Sequence, residues 1–302
     1  MVKISIIIPT YNRYDMLCKA IDSVLMQKDV LVEVIVVDDC STDETKDILK
    51  RYPMVSYYRN EKNLGPGGSR RKGFLSATGD FVIFLDDDDF YTCDSFFKKA
   101  SDILGINRSL SFVSGMVDVY DMNDNTIKDV DFCLSGFVEG NRYLNDFQVG
   151  IPKPLSTFPT IFSKEKLYES QIASMVEVND SSIYLRALTQ GSAYFLDLKI
   201  GCYRIHKSNI TKGLDSNLII RNLKEKELIF KEWNKKLDKP NDWWYQQFKL
   251  TYIYFLSSQP VVKDNIKVLF WGLRHFNSSS KMFYFLILHF AEILKRHFFP
   301  LS

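Results

Sequence analysis

The chain has 302 residues, 46% of them hydrophobic, and a formal net charge of +2, which suits a large folded domain with an appendage and excludes a disordered chain. So small a net charge gives no reason to expect a nucleic-acid partner. The charge is divided, however: residues 215–302 hold 14 Lys and Arg against 8 Asp and Glu, and residues 1–214 hold 25 against 29, so a basic tail follows an acidic body and suits an anionic surface. The five cysteines (Cys18, Cys40, Cys93, Cys133, Cys202) are scattered without zinc-ligand spacing, the pattern of reduced thiols in a cytosolic protein. No leader-peptide pattern opens the chain, and no uncharged apolar run of 18 residues suggests a spanning helix.

Val2 to Ile8 reads as a buried strand stopped by Pro9, which lacks the N–H of a strand interior. Thr10-Tyr11-Asn12 forms a loop, and Leu17, Ile21, Val24 and Leu25 then recur at helical spacing over 14–27. Leu31–Val37 is a second strand, ending in Asp38-Asp39. Ser41 and Glu44 have capping-box spacing and predict a helix to about Arg51. Val55–Arg59 is a third strand, and Gly65 to Gly68 reads as a flexible turn into a helix over 69–77. The fourth strand, Phe81–Leu85, ends in Asp86-Asp87-Asp88-Asp89.

Four adjacent anions repel one another and resist unpaired burial, so they belong at the strand's exposed end. A hard cation such as Mg²⁺ or Mn²⁺, which takes oxygen ligands, accounts for them; the plainer alternative is an acidic, solvated turn. Asp86 and Asp88 serve one site only if the backbone turns there, because alternate residues of a strand face opposite ways. The β-α alternation predicts a parallel, right-handed, helix-covered sheet, whose ligands bind beyond the carboxyl ends of the strands. Thr10 to Asn12, Asp38-Asp39 and Asp86 to Asp89 all fall at those ends. A G-x-G-x-x-G turn and a Walker A sequence are both missing, against a dinucleotide site or a P-loop NTPase.

A helix over 95–104, strands over 110–120 and 126–132, a loop-rich stretch over 134–165 and a strand over 193–203 follow. Asn179-Asp180 precedes a helical pattern of Ile183, Leu185, Ala187 and Leu188. Beyond 215 the pattern is helical, with Ile219, Leu223, Phe230, Trp233 and Leu237 on one face and further helices over 243–258, 263–276 and 280–297.

Pro9-Thr10-Tyr11-Asn12, Val36 to Asp43, Asn63-x-Gly65 with Ser69-Arg70-x-x-Gly73, and Leu85 to Asp89 stand in the order and spacing of family 2 glycosyltransferases, which the chain resembles from 3–92 and onward to about 212. The resemblance implies a GT-A fold over 1–213, divided into a nucleotide-binding half (1–105) and an acceptor half (106–213), with a helical region over 214–302. It implies inverting transfer of a sugar from a UDP-sugar to a hydroxyl of a glycan or lipid-linked acceptor, with Mn²⁺ or Mg²⁺ as cofactor, in synthesis of a capsule, O-antigen or wall glycan on the cytoplasmic side.

By that resemblance Asp39 accepts the uracil N3–H. Tyr11 offers a flat face for the base or is an ordinary loop aromatic. Pro9, Thr10 and Asn12 lie beside the nucleotide, and Asn63 touches the base or caps a turn. Asp38 lies near the ribose or caps the next helix. Arg70 pairs with the diphosphate or locks the acidic strand end. Asp88 is the direct metal ligand, Asp86 its partner, and Asp87 belongs to the nucleotide side. Asp180 is the catalytic base and also fits a helix N-cap. Arg204, His206 and Ser208 suit phosphate contacts, with His206 also completing the metal site. Arg71 and Lys72 read as surface charge.

Two other classes compete. A sugar-nucleotide nucleotidyltransferase calls for a Gly-rich loop where this chain has Thr10-Tyr11-Asn12, and an inactive binding module predicts lost acids. At the tail, Phe283, Phe285, Leu286, Ile287, Phe290, Ile293 and Leu294 form a broad apolar face opposite Lys281, His289, Glu292, Lys295 and Arg296, followed by Phe298-Phe299. That face suits a membrane interface, packing on the body, or a homo-oligomer.

Overall fold

Lys3–Thr10 forms β1, whose Ile4, Ile6, Ile7 and Ile8 are fully buried, as a central strand covered on both faces requires. The strand carries through Pro9, which pairs in register with Val37, and ends at Thr10; Tyr11 follows, and Asn12 enters the left-handed region at φ 54°. The computed structural model describes residues 2–130, 132–175, 177–206, 214–275, 281 and 283–290. They fall into two compact units, Met1–His206 and Lys207–Ser302. Ser208 and the tail beyond Phe290 lie outside the described residues.

In the first unit β1 pairs in parallel with β2 (Leu31–Asp38) and β4 (Phe81–Phe84), and β2 in parallel with β3 (Ser56–Arg59). Beyond β4 the sheet changes character. β9 (Thr160–Ser163) runs antiparallel between β4 and β6 (Leu110–Asp121), and β6 is parallel to β10 (Ser192–Ile205). The sheet order is β3-β2-β1-β4-β9-β6-β10-β5, with β5 at Phe90–Tyr91, β7 (Thr126–Lys128) on β6 and β8 (Gly136–Val138) on β10. Flanking helices are α1 (Tyr14–Leu25), α2 (Ile48–Arg51), α3 (Gly65–Ser76), α4 (Phe96–Ile106), α5 (Gly140–Asn145), α6 (Lys164–Glu169) and α7 (Asp180–Leu188). This is the GT-A arrangement of a helix-flanked, mostly parallel central sheet.

Side-chain alternation sorts the core. Ile4, Ile6 and Ile8 meet Leu17, Ile21 and Val24 of α1 and join Val34, Val36 and Ile83. Ile7 points to the other face. There Gly73 lets α3 approach: a Cβ would collide with Ile7 Cγ2 and lie 3.3 Å from Val37 Cγ2. Each such aliphatic side chain contributes at most about 1.5–3 kcal/mol by burial.

Three local expectations change. The capping box at Ser41 does not form. Asp43 caps a 3-10 turn over Glu44–Asp47 instead, accepting from Thr45 N at 3.1 Å and Tyr14 N at 3.1 Å, while Ser41 Oγ accepts from Asn12 N at 2.9 Å. The carboxylate is the stronger acceptor for the helix-start N–H. α3 begins at Gly65 rather than near Ser69, because Pro66 fits a first helical turn. The stretch 134–165 contains β8, α5, β9 and the start of α6.

In the second unit α8 (Ser216–Trp233) is capped by Asp215, and α9 (Pro240–Ser257) and α10 (Val262–His275) follow. Ile219, Leu223, Trp244, Phe248, Tyr252 and Leu269 are buried, and Phe230 stacks on Trp244 at 6.1 Å. Residues 283–290 are helical, and the expected broad apolar face divides. Phe285 and Leu286 are buried, with Phe285 against Tyr252 at 6.0 Å, whereas Phe283, Tyr284, Ile287 and Leu288 are exposed.

Candidate active site

The carboxyl ends of β1, β2, β4 and β10 bring the polar clusters together. β4 stops at Phe84; Leu85 N still donates to Ile7 O at 3.0 Å, and Asp89 N donates to Asp86 O at 3.1 Å. That closes the turn which Asp86 and Asp88 need to share a site. Asp86, Asp88 and Asp89 each offer an oxygen within 4.8 Å of the others.

Every acid of the turn has partners. Asp87 accepts from Thr10 Oγ1 at 2.7 Å and from an Arg13 guanidinium N–H at 2.9 Å. Asp88 Oδ2 meets Arg13 at 2.9 Å and His206 Nε2 at 2.8 Å. Asp89 is fully buried and accepts from Arg204 N at 3.1 Å, with Ser156 Oγ at 3.4 Å. The Arg204 guanidinium donates to Asp88 O and stands 5.0 Å from the centre of the Phe90 ring. Burial, with Asp180 and Asp88 close by, pushes the Asp86 carboxyl up to about 6 against the pull of Arg70. Burial likewise lifts Asp87 to about 7, opposed by Arg13 and Thr10. Burial and the Asp88 charge hold Asp89 well above the ordinary carboxylate range. Burial thus penalises the charged form of these carboxyls even with Arg13, Arg70 and Arg204 beside them, and a hard divalent cation fits the clustered oxygens of Asp86, Asp88 and Asp89. Asp89 is spent on the fold. Asp86 and Asp88, with side chains 28% and 11% exposed, are the two that open outward.

Arg70 is 5% exposed and joins two parts of the site. One terminal nitrogen lies 2.5 Å from Asp86 Oδ1; the other lies 3.3 Å from Asp180 Oδ1 and donates to Val178 O at 3.2 Å. Of the two readings for Arg70, the lock on the acidic strand end is therefore made, and it reaches Asp180 as well. Asp180 is the first residue of α7, and the capping task falls to Asn179, which accepts from Ser182 N at 3.0 Å. Tyr184, one turn on, anchors α7 by donating to Ser156 O at 2.9 Å.

At the ends of β1 and β2 Tyr11 is 46% exposed. Asn12 instead ties loops together, accepting from Thr42 N at 2.7 Å. Asp39 is buried and accepts from Asn60 Nδ2 at 2.8 Å, Leu64 N at 2.8 Å and Gly65 N at 2.7 Å, three of the roughly four acceptor directions of a carboxylate. Asn63 caps the same turn through Gly65 N at 3.1 Å. Asp38 is fully buried and accepts from Ser41 N at 2.8 Å and Tyr57 OH at 2.6 Å. Pro9 lies inside β1, and Thr10 O accepts from Asp39 N at 2.8 Å.

The profile of Glycosyl transferase family 2 matches residues 5–184 of this fold. The chain belongs to that family. An uncharacterized glycosyltransferase of Rickettsia felis is 30% identical over 210 residues, 67% of this chain and 33% of that protein. The putative teichuronic acid biosynthesis glycosyltransferase TuaG of Bacillus subtilis is 36% identical over 215 residues, 70% of this chain and 82% of that protein. The match thus spans about a third of the rickettsial relative's length and most of TuaG. Residues 1–349 of S. aureus TarS, crystallised with UDP-GlcNAc, share the fold with a TM-score of 0.69 at 20% identity, over 91% of this chain and 82% of that one.

Family membership displaces the nucleotidyltransferase alternative. The structure also brings to the site residues that no motif in the sequence singles out. Arg13 is the cation facing Asp87 and Asp88; its place directly after Asn12, in a loop that must face four acids, was the available signal. Lys153 donates to Pro154 O at 2.8 Å and Leu155 O at 3.1 Å, and burial lowers its ammonium against the opposing charge of Asp180. Arg71, read as surface charge, donates to Met175 O, while Lys72 reaches Arg59 O at 2.8 Å. A groove of about 830 Å³ opens at the opposite end of β4, lined by Gly79, Phe81, Arg108, Lys164 and Tyr168, and contains none of the candidate site residues.

Proposed function

We propose that this glycosyltransferase moves a sugar from a UDP-sugar to a hydroxyl of a glycan or lipid-linked acceptor, with inversion, in the synthesis of a cell-surface polysaccharide. The observation that carries this reading is Arg70, which pairs with Asp86 on one side and Asp180 on the other. One guanidinium thus spans the Asp-x-Asp turn and a separate, partly exposed carboxylate. The UDP-GlcNAc complex of TarS and the teichuronic acid role given to TuaG support the donor class and the pathway class.

In this reading the exposed Tyr11 ring stacks on the uracil and Asp39 takes its N3–H on the remaining acceptor direction. Asp86 and Asp88, with His206 bonded to Asp88, would hold Mn²⁺ or Mg²⁺. When bound, the ion supplies Lewis-acid neutralisation of the departing diphosphate. Asp180 accepts the proton of the acceptor hydroxyl as its oxygen bonds to the anomeric carbon and the bond to the diphosphate breaks on the opposite face, a task worth roughly 10²–10⁴-fold. Arg70 keeps Asp180 aimed. UDP release from a panel of UDP-sugars tests the reading. Asp180→Asn is expected to stop turnover and leave UDP binding intact; unchanged turnover removes Asp180 from the mechanism. Chelation by EDTA is expected to stop release and Mn²⁺ or Mg²⁺ to restore it; full activity in chelator removes the metal.

The second unit extends the proposal to an anionic membrane surface. Exposed Phe283, Tyr284, Ile287 and Leu288 share one side of a helix in the part of the chain with 14 basic against 8 acidic residues, the composition of an interfacial contact. No helix among the described residues is long and apolar enough to cross a membrane.

A further inference from the structure

α3 does more than cover β1 and β2. Three of its residues, Gly67, Arg70 and Arg71, stand at i, i+3 and i+4 and so share one face. All three meet the stretch that leads into α7. Arg71 donates to Met175 O, and Arg70 donates to Val178 O at 3.2 Å while facing Asp180 at 3.3 Å. Gly67 lies directly against Glu177: a Cβ there would collide with Glu177 Oε1 and stand 3.2 Å from Val178 N. Lys72, on another face, serves Arg59 O and Asn60 instead.

We propose that this face of α3 is a clamp that sets the position of Asp180, with Gly67 and Arg71 as positioning residues that act through Met175 and the 177–179 backbone. The inference rests on the glycosyltransferase reading with Asp180 as base. The physical case is as follows. α7 is pinned from its first turn onward by the Asn179 cap and the Tyr184 hydroxyl. The carboxylate at its first position is then steered by the chain just before it. Two guanidinium groups hold carbonyls of that chain, and charge-assisted bonds of this kind are about twice as strong as neutral ones. The missing side chain at Gly67 permits the close approach. A displacement of Asp180 by about 1 Å is enough to cost roughly 10²-fold in rate.

The test compares Gly67→Ala, Gly67→Ala with Glu177→Ala, Arg71→Met and Arg71→Lys in the full chain. Three quantities are read: UDP release from whichever UDP-sugar the wild type turns over, UDP affinity with Mn²⁺ by calorimetry, and amide hydrogen exchange over 177–182. Arg71→Met is expected to slow release by about 10²-fold, and Gly67→Ala by less, because its Cβ meets the movable tip of Glu177 and stands 3.2 Å from Val178 N. Both should speed exchange over 177–182 and leave UDP affinity and the melting temperature near wild type. Arg71→Lys, which retains a donor for Met175 O, is expected to keep most activity, and removing Glu177 is expected to recover part of the Gly67→Ala loss. Unaltered exchange over 177–182 in Arg71→Met overturns the clamp, as does UDP affinity falling in step with rate. A wild type that releases no UDP from any UDP-sugar defeats the glycosyltransferase reading instead, and the exchange comparison still judges the clamp. Should Gly67→Ala fail to fold, the two Arg71 variants decide.

Discussion

Replacing Arg70 with Met tests the centre of the site while retaining a side chain of similar length. The guanidinium is 6% exposed and faces Asp86 at 2.5 Å and Asp180 at 3.3 Å, with the Val178 carbonyl as a third partner. Removing one member of a buried ion pair costs about 3–5 kcal/mol, because the remaining charge is left uncompensated. For a unit of this size that corresponds to a fall of about 6–20 °C in melting temperature. The loss also has a defined pH dependence. Burial already raises Asp86 to about 6, while Arg70 pulls it down. A raised carboxyl pKa means that the anion costs stability above that pKa and that the cost is relieved as pH falls towards the unfolded value of about 3.9. Without Arg70 the carboxyl rises further, so the deficit is expected to be largest near pH 8 and to shrink by pH 5. Urea melts of wild type and Arg70→Met in EDTA, followed by circular dichroism at both pH values, measure this directly. A loss below about 1 kcal/mol, or an equal loss at pH 5 and pH 8, refutes the ion-pair account.

Other outcomes follow from single contacts. Glu33 accepts from Lys3, Ser5 and Thr78, and although burial pushes its carboxyl up, these bonds win and bring it to about 2. Because its folded pKa is depressed, its stabilisation is complete above the unfolded pKa of about 4.3 and fades as pH drops through the folded value near 2. Glu33→Gln is expected to cost about 1–2 kcal/mol at pH 7, after allowance for partial solvent screening, and almost nothing at pH 2; an equal cost at both contradicts the network. Tyr11→Ala is expected to weaken UDP binding by about 1–3 kcal/mol, the worth of one base–aromatic stack, without changing the melting temperature; wild-type affinity by calorimetry removes Tyr11 from the site. Phe283→Ser with Ile287→Ser is expected to reduce flotation with anionic liposomes and leave the fold intact, and equal flotation of variant and wild type ends the membrane proposal.

Much of the sheet was legible because its signals are local. Ile4 to Ile8, Val34 to Val37 and Phe81 to Leu85 are apolar runs that each give way to polar residues, and a run buried on both faces has few alternatives to a central strand. The same transition marked the site, since four adjacent carboxylates have to be placed where cations reach them. What could not be read are couplings between residues far apart in the chain. Arg13 meets Asp88 across 75 positions, Arg70 meets Val178 across 108 and His206 meets Asp88 across 118. No periodicity encodes such pairs. The four residues of β9 are too few to display an alternation, and their antiparallel insertion between β4 and β6 is dictated by tertiary packing, with Phe162 against Phe84 at 6.2 Å and Phe112 at 5.6 Å.

That division between local and distant signals also explains why single residues of the cluster have structural partners that their place in the sequence does not announce. Asp39 fits a nucleotide contact by its position after β2, but in the fold it also organises the turn from Asn60 to Gly65 and so the start of α3. Asp89 is spent on Arg204 and Ser156, which bind β10 and the 156–160 stretch to the acidic turn. Even Arg70 faces a carboxylate on each side. Each of these acids and bases thus has a structural partner within the unit, so a ligand entering the site meets groups that the fold already holds in place. On the proposed function, a diphosphate and its cation would approach from the open side of Asp86 and Asp88, while Gly67 and Arg71 of α3 would steady Asp180 through the chain that precedes it.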